Sequence, residues 1–221
     1  IDPAAGGKVS RDETAYAIGG FLNGTVYVLA VGGVPGGYDL ETLERLATVI
    51  AGFAPQGVTI EKNMGYGAFA AIFTPILRRK LRGVEIEEDL VSGQKELRII
   101  NTLAPVMGRG SLVFTEQAVQ HDEETTSGYA PSERAHYSVF YQLGRLTRQR
   151  DSLPHDDRAD ALEGLVRKYQ TEMAQDQKKR LESQLRKEHE EMMRDPLGHN
   201  RYGDRGSKSG RLSMLARRRQ R

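Results

Sequence analysis

Asn23-Gly24 lies between two runs that alternate with the strand period, Thr14-Ala-Tyr-Ala-Ile18 and Thr25-Val-Tyr-Val-Leu-Ala-Val31. A two-residue turn of that composition adopts positive φ easily and matches the twist of paired strands, so it predicts an antiparallel hairpin. The elements after the hairpin narrow the fold further. Asp39 precedes Leu40, Leu43, Leu46, Ala47 and Ile50 at helical spacing, which predicts a helix capped by Asp39. Gly57-Val-Thr-Ile60 is β-branched and too short for a helix, so it reads as a strand ending at Glu61. A glycine-punctuated turn over 63–67 leads to a helix over 68–81, a strand over 84–86, a helix over 95–107 and a strand over 112–114. Residues 137–148 read as helical, and a long helix starts near Asp156. A hairpin followed by helix–strand units predicts an α/β sheet with the hairpin at one edge and crossover helices on its faces.

Charge divides the chain differently. Residues 1–160 carry 16 Lys/Arg against 21 Asp/Glu, residues 161–200 balance at 8 against 8, and residues 201–221 hold 8 basic against 1 acidic. The last segment, with its glycines, serines and Arg217-Arg218-Arg219, has too little apolar content for a core and is expected to be a disordered basic tail. Such an arm suits a phosphate backbone or simply a solvated terminus. The expected organisation is a folded domain over 1–170, a helical extension over 171–200 and the tail over 201–221. There is no Cys, which excludes disulfides, thiolate zinc sites and cysteine nucleophiles. No apolar run reaches the ~18 residues of a membrane span, so no membrane partner is expected. No G-x-x-x-x-G-K-[ST] occurs, which excludes a P-loop in this chain. The opening Ile1-Asp2-Pro3 lacks a Met and is read as the start of a piece cut within a strand.

Acidic residues stand at the ends of several of these elements. Asp2 closes what would be the first strand, Glu61 closes the strand over 57–60, and Asp156, Asp157 and Asp160 open the helix after Pro154-His155. Strand ends and a helix start can converge at one sheet edge. An all-oxygen set there suits Mg²⁺ or Mn²⁺, and a cation would relieve the repulsion. Each residue also has a plainer role. The three aspartates fit a helix N-cap and first turn, and Glu61 fits a solvated turn entry.

Three stretches together resemble the nuclease domain of the large terminase subunit of short-tailed phages, the DNA maturase B type. They are Ile1-Asp2-Pro3 with Asp12-Glu13-Thr14-Ala15-Tyr16-Ala17; Val58 to Gly67 leading to Phe73–Leu77; and Tyr137–Gln142 leading to His155–Leu162. Lys95–Ile99 and Thr102–Met107 follow the same family pattern, so the similarity spans roughly residues 1–165.

That resemblance implies a ribonuclease-H-like mixed sheet with an antiparallel hairpin and flanking helices. It implies a two-metal endonuclease, using Mg²⁺ or Mn²⁺, that cuts concatemeric double-stranded DNA during phage genome packaging. Asp2, Glu61 and Asp157 would be the catalytic metal ligands, with Asp156 and Asp160 as further metal ligands. Lys8, Arg11, Lys62, Lys95, Arg98 and Arg148 are the candidate DNA contacts. Lys62 departs from the family pattern and, next to Glu61 on a strand, is equally placed to face away. The small terminase subunit and the portal protein would be partners, an ATPase motor would lie upstream, and the host cytoplasm would be the location. Another ribonuclease-H-like nuclease, such as a junction resolvase, or a non-catalytic DNA-binding or docking module are the competing readings.

Overall fold

In a computed structural model, residues 1–4, 13–62 and 67–194 are described. Lys8, Arg11 and the turn over 63–66 lie outside the described residues, as does the segment 195–221 with its basic tail. The hairpin forms as expected, with β1 (Glu13–Leu22) antiparallel to β2 (Thr25–Pro35) across Asn23-Gly24, both at positive φ. It is not at a sheet edge, however. Strand β5 (Leu112–Phe114) pairs parallel on the outer side of β2, giving the order β1-β2-β5. A three-residue strand carries too little pattern to announce its neighbour, which is why the sequence reading put the hairpin outermost.

A second parallel pair, β3 (Gly57–Glu61) and β4 (Glu85–Asp89), is joined to the first sheet through the two opening residues. Asp2 exchanges both backbone hydrogen bonds with Ala15 of β1, each 2.9 Å. Ile1 N donates to Thr59 O at 2.8 Å and Ile1 O accepts from Glu61 N at 3.0 Å, the pattern of a parallel neighbour of β3. Ile1-Asp2 thus stitches the two sheets into one mixed sheet.

Two helical layers cover that sheet. On one face, α1 (Leu40–Phe53) and α2 (Ala68–Lys80) bury Leu43, Leu46, Phe69 and Phe73 against Tyr16, Ile18 and Ile60. Asp39 caps α1, its carboxylate accepting from Thr42 N at 2.9 Å. On the other face, α3 (Lys95–Gly108) and α7 (Asp157–Lys168) bury Ile99, Leu103, Leu162 and Val166 against Val26, Val28 and Val31. The parity of β2 changes because Leu29 is an extra residue opposite Ile18/Gly19. This bulge lets Val28 and Val31 share one face while Ala30 and Val34 share the other.

Between β5 and α7 run α4 (Glu116–Thr126), α5 (Arg134–Tyr137) and α6 (Val139–Arg145). The helix expected over 137–148 is broken at Ser138, which is extended. Helix α4 was not expected, because its buried positions include Asp122 and Thr126 and leave no apolar stripe to read. The chain divides into two units after Met173. The described residues of the second belong to α8 (Gln170–Arg194) and expose Leu181, Leu185 and Met192. No helix among the described residues is long and apolar enough to cross a membrane.

Candidate metal centre

The period-two alternation of strands aims the first two carboxylates. Ile1 and Ile60 pack into the α1/α2 layer, so their neighbours Asp2 and Glu61 point to the opposite face, toward α3 and α7. There Asp160, one turn into α7, meets them. Ligand oxygens of Asp2, Glu61 and Asp160 lie within 4.8 Å of one another. Asp156 and Asp157, at the start of α7, stand beside this trio across the Lys95 ammonium. Lys95 Nζ is 3.3 Å from Asp2, 2.9 Å from Asp156, 3.2 Å from Asp160 and 3.7 Å from Asp157. A cavity of about 380 Å³ opens over the cluster, with Pro154 and His155 in its wall.

Asp156 occupies the N-cap position of α7 but makes no side-chain cap hydrogen bond, and its carboxylate pairs with Lys95 instead. The helix start is held from outside: Gln142 Oε1 of α6 accepts from Ala159 N at 2.9 Å, satisfying a donor the N-cap leaves unmet.

Burial raises the affinity of this site for positive charge. It pushes Asp2 up to about 6, with Asp160 adding to the rise and Lys95 opposing it. It pushes Glu61 to about 7, helped by Asp160 and Asp2. Asp157 is pushed to about 8, again chiefly by burial, with Asp2 and Asp156 contributing and Lys95 opposing. Among the described residues, Asp157 Oδ2 is buried and accepts no hydrogen bond. An unmet buried carboxylate oxygen beside three converging carboxylates is a donor set that fits a hard divalent cation.

The basic candidates separate. Arg98 is not at the solvent edge: its guanidinium reaches Asp160 at 2.7 Å and Glu163 at 2.5 Å, beneath the cluster. Lys62 shares the face of Ile60 rather than that of Glu61 and pairs with Glu88 at 2.6 Å. Arg148 is exposed, and its carbonyl accepts from Gln94 Nε2 at 3.0 Å, which places it beside the start of α3 near Lys95.

Sequence reasoning missed the support around the site. Glu163, fully buried, accepts from Arg98, from Thr102 at 2.9 Å and from Arg167 at 3.1 Å. The spacing Asp156, Asp160, Glu163, Arg167 runs down one side of a helix and was the available signal. Nothing local announces the second network. Fully buried Arg158 makes a bidentate pair with Glu13 at 2.5 and 3.0 Å and reaches Asp122 at 2.8 Å. Tyr129 OH donates to Glu13 at 2.7 Å, and Ser138 and Val139 N donate to Asp122. The Glu13 carboxylate has room because it lies over Gly33, the partner of Ala15 across the hairpin, where a Cβ would sit 1.9 Å from the carboxylate carbon.

A family model described as "Terminase Bacteriophage T7, Ribonuclease H-like domain" matches residues 1–112, half of the chain, including Asp2, Glu61, Lys95 and Arg98. The chain belongs to this family. As a terminase ribonuclease-H-like domain it has the mixed sheet and flanking helices that the sequence resemblance implied. It is also 40% identical over 161 residues to the large terminase subunit of Enterobacteria phage T3. That match covers 73% of this chain and 27% of the phage T3 protein, so this terminase domain corresponds to about a quarter of that relative's length.

Proposed function

We propose that this chain is a metal-dependent endonuclease that hydrolyses phosphodiester bonds of concatemeric double-stranded DNA during phage genome packaging. The observation that carries the reading is the convergence of Asp2, Glu61 and Asp160 oxygens within 4.8 Å, beside the unmet Asp157 Oδ2, in a terminase ribonuclease-H-like domain. The donors are all carboxylate oxygens, the set that Mg²⁺ or Mn²⁺ takes.

Asp2, Glu61, Asp157 and Asp160 would hold the ions, with Asp156 at the rim of the same cluster. A bound pair of such ions supplies an activated water and stabilises the leaving oxygen at the scissile phosphate. The protein's own groups do the positioning. Arg98 fixes the Asp160 carboxylate from below, itself anchored by Glu163, so the oxygens facing the cavity keep their direction. Lys95, which lines the cavity, and Arg148, exposed beside the start of α3, are the described candidates for phosphate contacts, which would be independent of base sequence. Lys8 and Arg11 remain candidates for the same role. By the terminase relationship, the small terminase subunit and the portal protein are proposed partners, with the host cytoplasm as the place of action.

The test is plasmid cleavage with Mn²⁺ or Mg²⁺, comparing the wild type with Asp2→Ala and Asp157→Ala. Cutting by the wild type and none by Asp2→Ala supports the reading. Wild-type rates in Asp157→Ala would remove that residue from the ligand set, and a wild type that cuts nothing with either ion would sink the proposal.

A further inference from the structure

Among the described residues, the side-chain cations Lys95 and Arg98 pair with the carboxylate cluster, and they are built differently. Arg98 is a rigid fork, only 13% exposed in its side chain and bound to Asp160 and Glu163 at 2.7 and 2.5 Å. Lys95 is a compact point charge on a flexible stem, with no single partner. Its ammonium lies 2.9–3.7 Å from four separate carboxylates, and its side chain is 33% exposed toward the cavity. Arg98 is therefore part of the floor, whereas Lys95 can leave without opening the core.

The position of Lys95 in its own helix points the same way. It is the first residue of α3, where the partial positive charge of the helix N-terminus disfavours a cation. Burial works against its charge as well, so what favours the ammonium here is its contact with Asp2, Asp156, Asp157 and Asp160. The stabilisation comes from the cluster, not from the helix.

From these contacts we infer that Lys95 is a built-in counter-ion that keeps the carboxylates assembled before metal arrives and that the first divalent ion must displace. The inference rests on the metal reading above and adds a competitor to it. Mg²⁺ and Mn²⁺ ligation draws carboxylate oxygens close around one centre, and an ammonium within 4 Å of the same oxygens then repels the ion it shares them with. Any phosphate contact by Lys95 follows its displacement, so metal loading precedes that contact.

The experiment uses the full 221-residue chain without DNA. Mn²⁺ binding is followed by isothermal titration, and melting temperature is read across a Mn²⁺ series, for wild type, Lys95→Met, Lys95→Gln and Lys95→Arg. The expected result is Mn²⁺ binding at least about tenfold tighter in Lys95→Met and Lys95→Gln, with Lys95→Arg near wild type. Metal-free Lys95→Met should also melt below wild type, and the deficit should close as Mn²⁺ saturates. Unchanged or weaker Mn²⁺ binding in both neutral variants, with wild type binding normally, overturns the counter-ion role. A wild-type chain that binds no Mn²⁺ overturns the metal reading itself, and this inference with it.

Discussion

Asp157 and Arg158 are consecutive at the start of α7, yet they belong to charge clusters of opposite character. Arg158 faces a closed network. Its guanidinium is fully buried, Glu13 and Asp122 answer it, and Tyr129, Ser138 and Val139 supply hydrogen bonds to those carboxylates. Asp157 faces Lys95, Asp2 and Asp156 at the side of a cluster where Asp2, Glu61 and Asp160 converge above Arg98. That cluster opens to a cavity and leaves Asp157 Oδ2 without a hydrogen bond among the described residues. The lesson is that buried charge of itself says little. Paired and fully hydrogen-bonded, it holds α7 to β1 and α4. In excess of one sign and open to solvent, it prepares a place for a cation.

The comparison makes opposite demands on variants. The largest effect is expected on the open side: Glu61→Gln should lower metal-dependent cleavage by more than about 100-fold, since loss of even an outer partner of a metal costs 10–100-fold. It removes a like charge, so its metal-free melting temperature should not fall below wild type. A large drop in that melting temperature would erase the distinction between the two clusters.

On the closed side, Arg158→Met leaves Glu13 and Asp122 buried without their cation and should cost about 3–5 kcal/mol by urea denaturation. Adding Glu13→Gln should recover part of that loss, a coupling that a double-mutant cycle reads directly. Additive losses would mean that the pair does not act as a unit.

The pH response should come from the open cluster. Asp2, Glu61 and Asp157 are raised from 3.8, 4.5 and 3.8 to about 6, 7 and 8, mainly by burial. A raised carboxylate favours the folded state fully below its ordinary value, and that contribution is lost as pH climbs through the folded value. Metal-free protein should therefore lose stability as pH rises from 3.8 toward 8, and saturating Mn²⁺ should flatten the slope. Melting curves across that range, with and without Mn²⁺, check both halves.

The smallest effect sharpens the closed side. Tyr129→Phe deletes one donor to Glu13 and should cost about 1 kcal/mol by denaturation. Mn²⁺ affinity should stay unchanged in titration, because the lost hydroxyl serves Glu13 while the ring stacked on Tyr137 is kept.

Legibility in the sequence followed the range of the forces involved. Helix α1 was readable because its cap Asp39 and its apolar positions lie within one short window, and β3 because three consecutive β-branched residues suffice. Asp2, Glu61 and the aspartates of α7 stood out as acids at element ends, although pattern alone left Asp156 equally suited to a cap. Helix α4 hid because Asp122 and Thr126 are buried in hydrogen bonds, which leave no apolar period. Arg98 looked like a solvent-facing cation and Lys62 was open to either face, since a sequence shows charge but not what a side chain meets.

By itself, the sequence determined the hairpin, the order of strands and helices as far as β5, and the acidic ends that make a metal site conceivable. Periodicity, caps and turns act over a few residues and leave local marks. Only the tertiary structure decided which charges meet. Lys95 reaches Asp2 across 93 residues and Arg158 reaches Glu13 across 145. Electrostatic pairing depends on distance in space and on the water excluded around it, and neither is written in the spacing of residues along a chain.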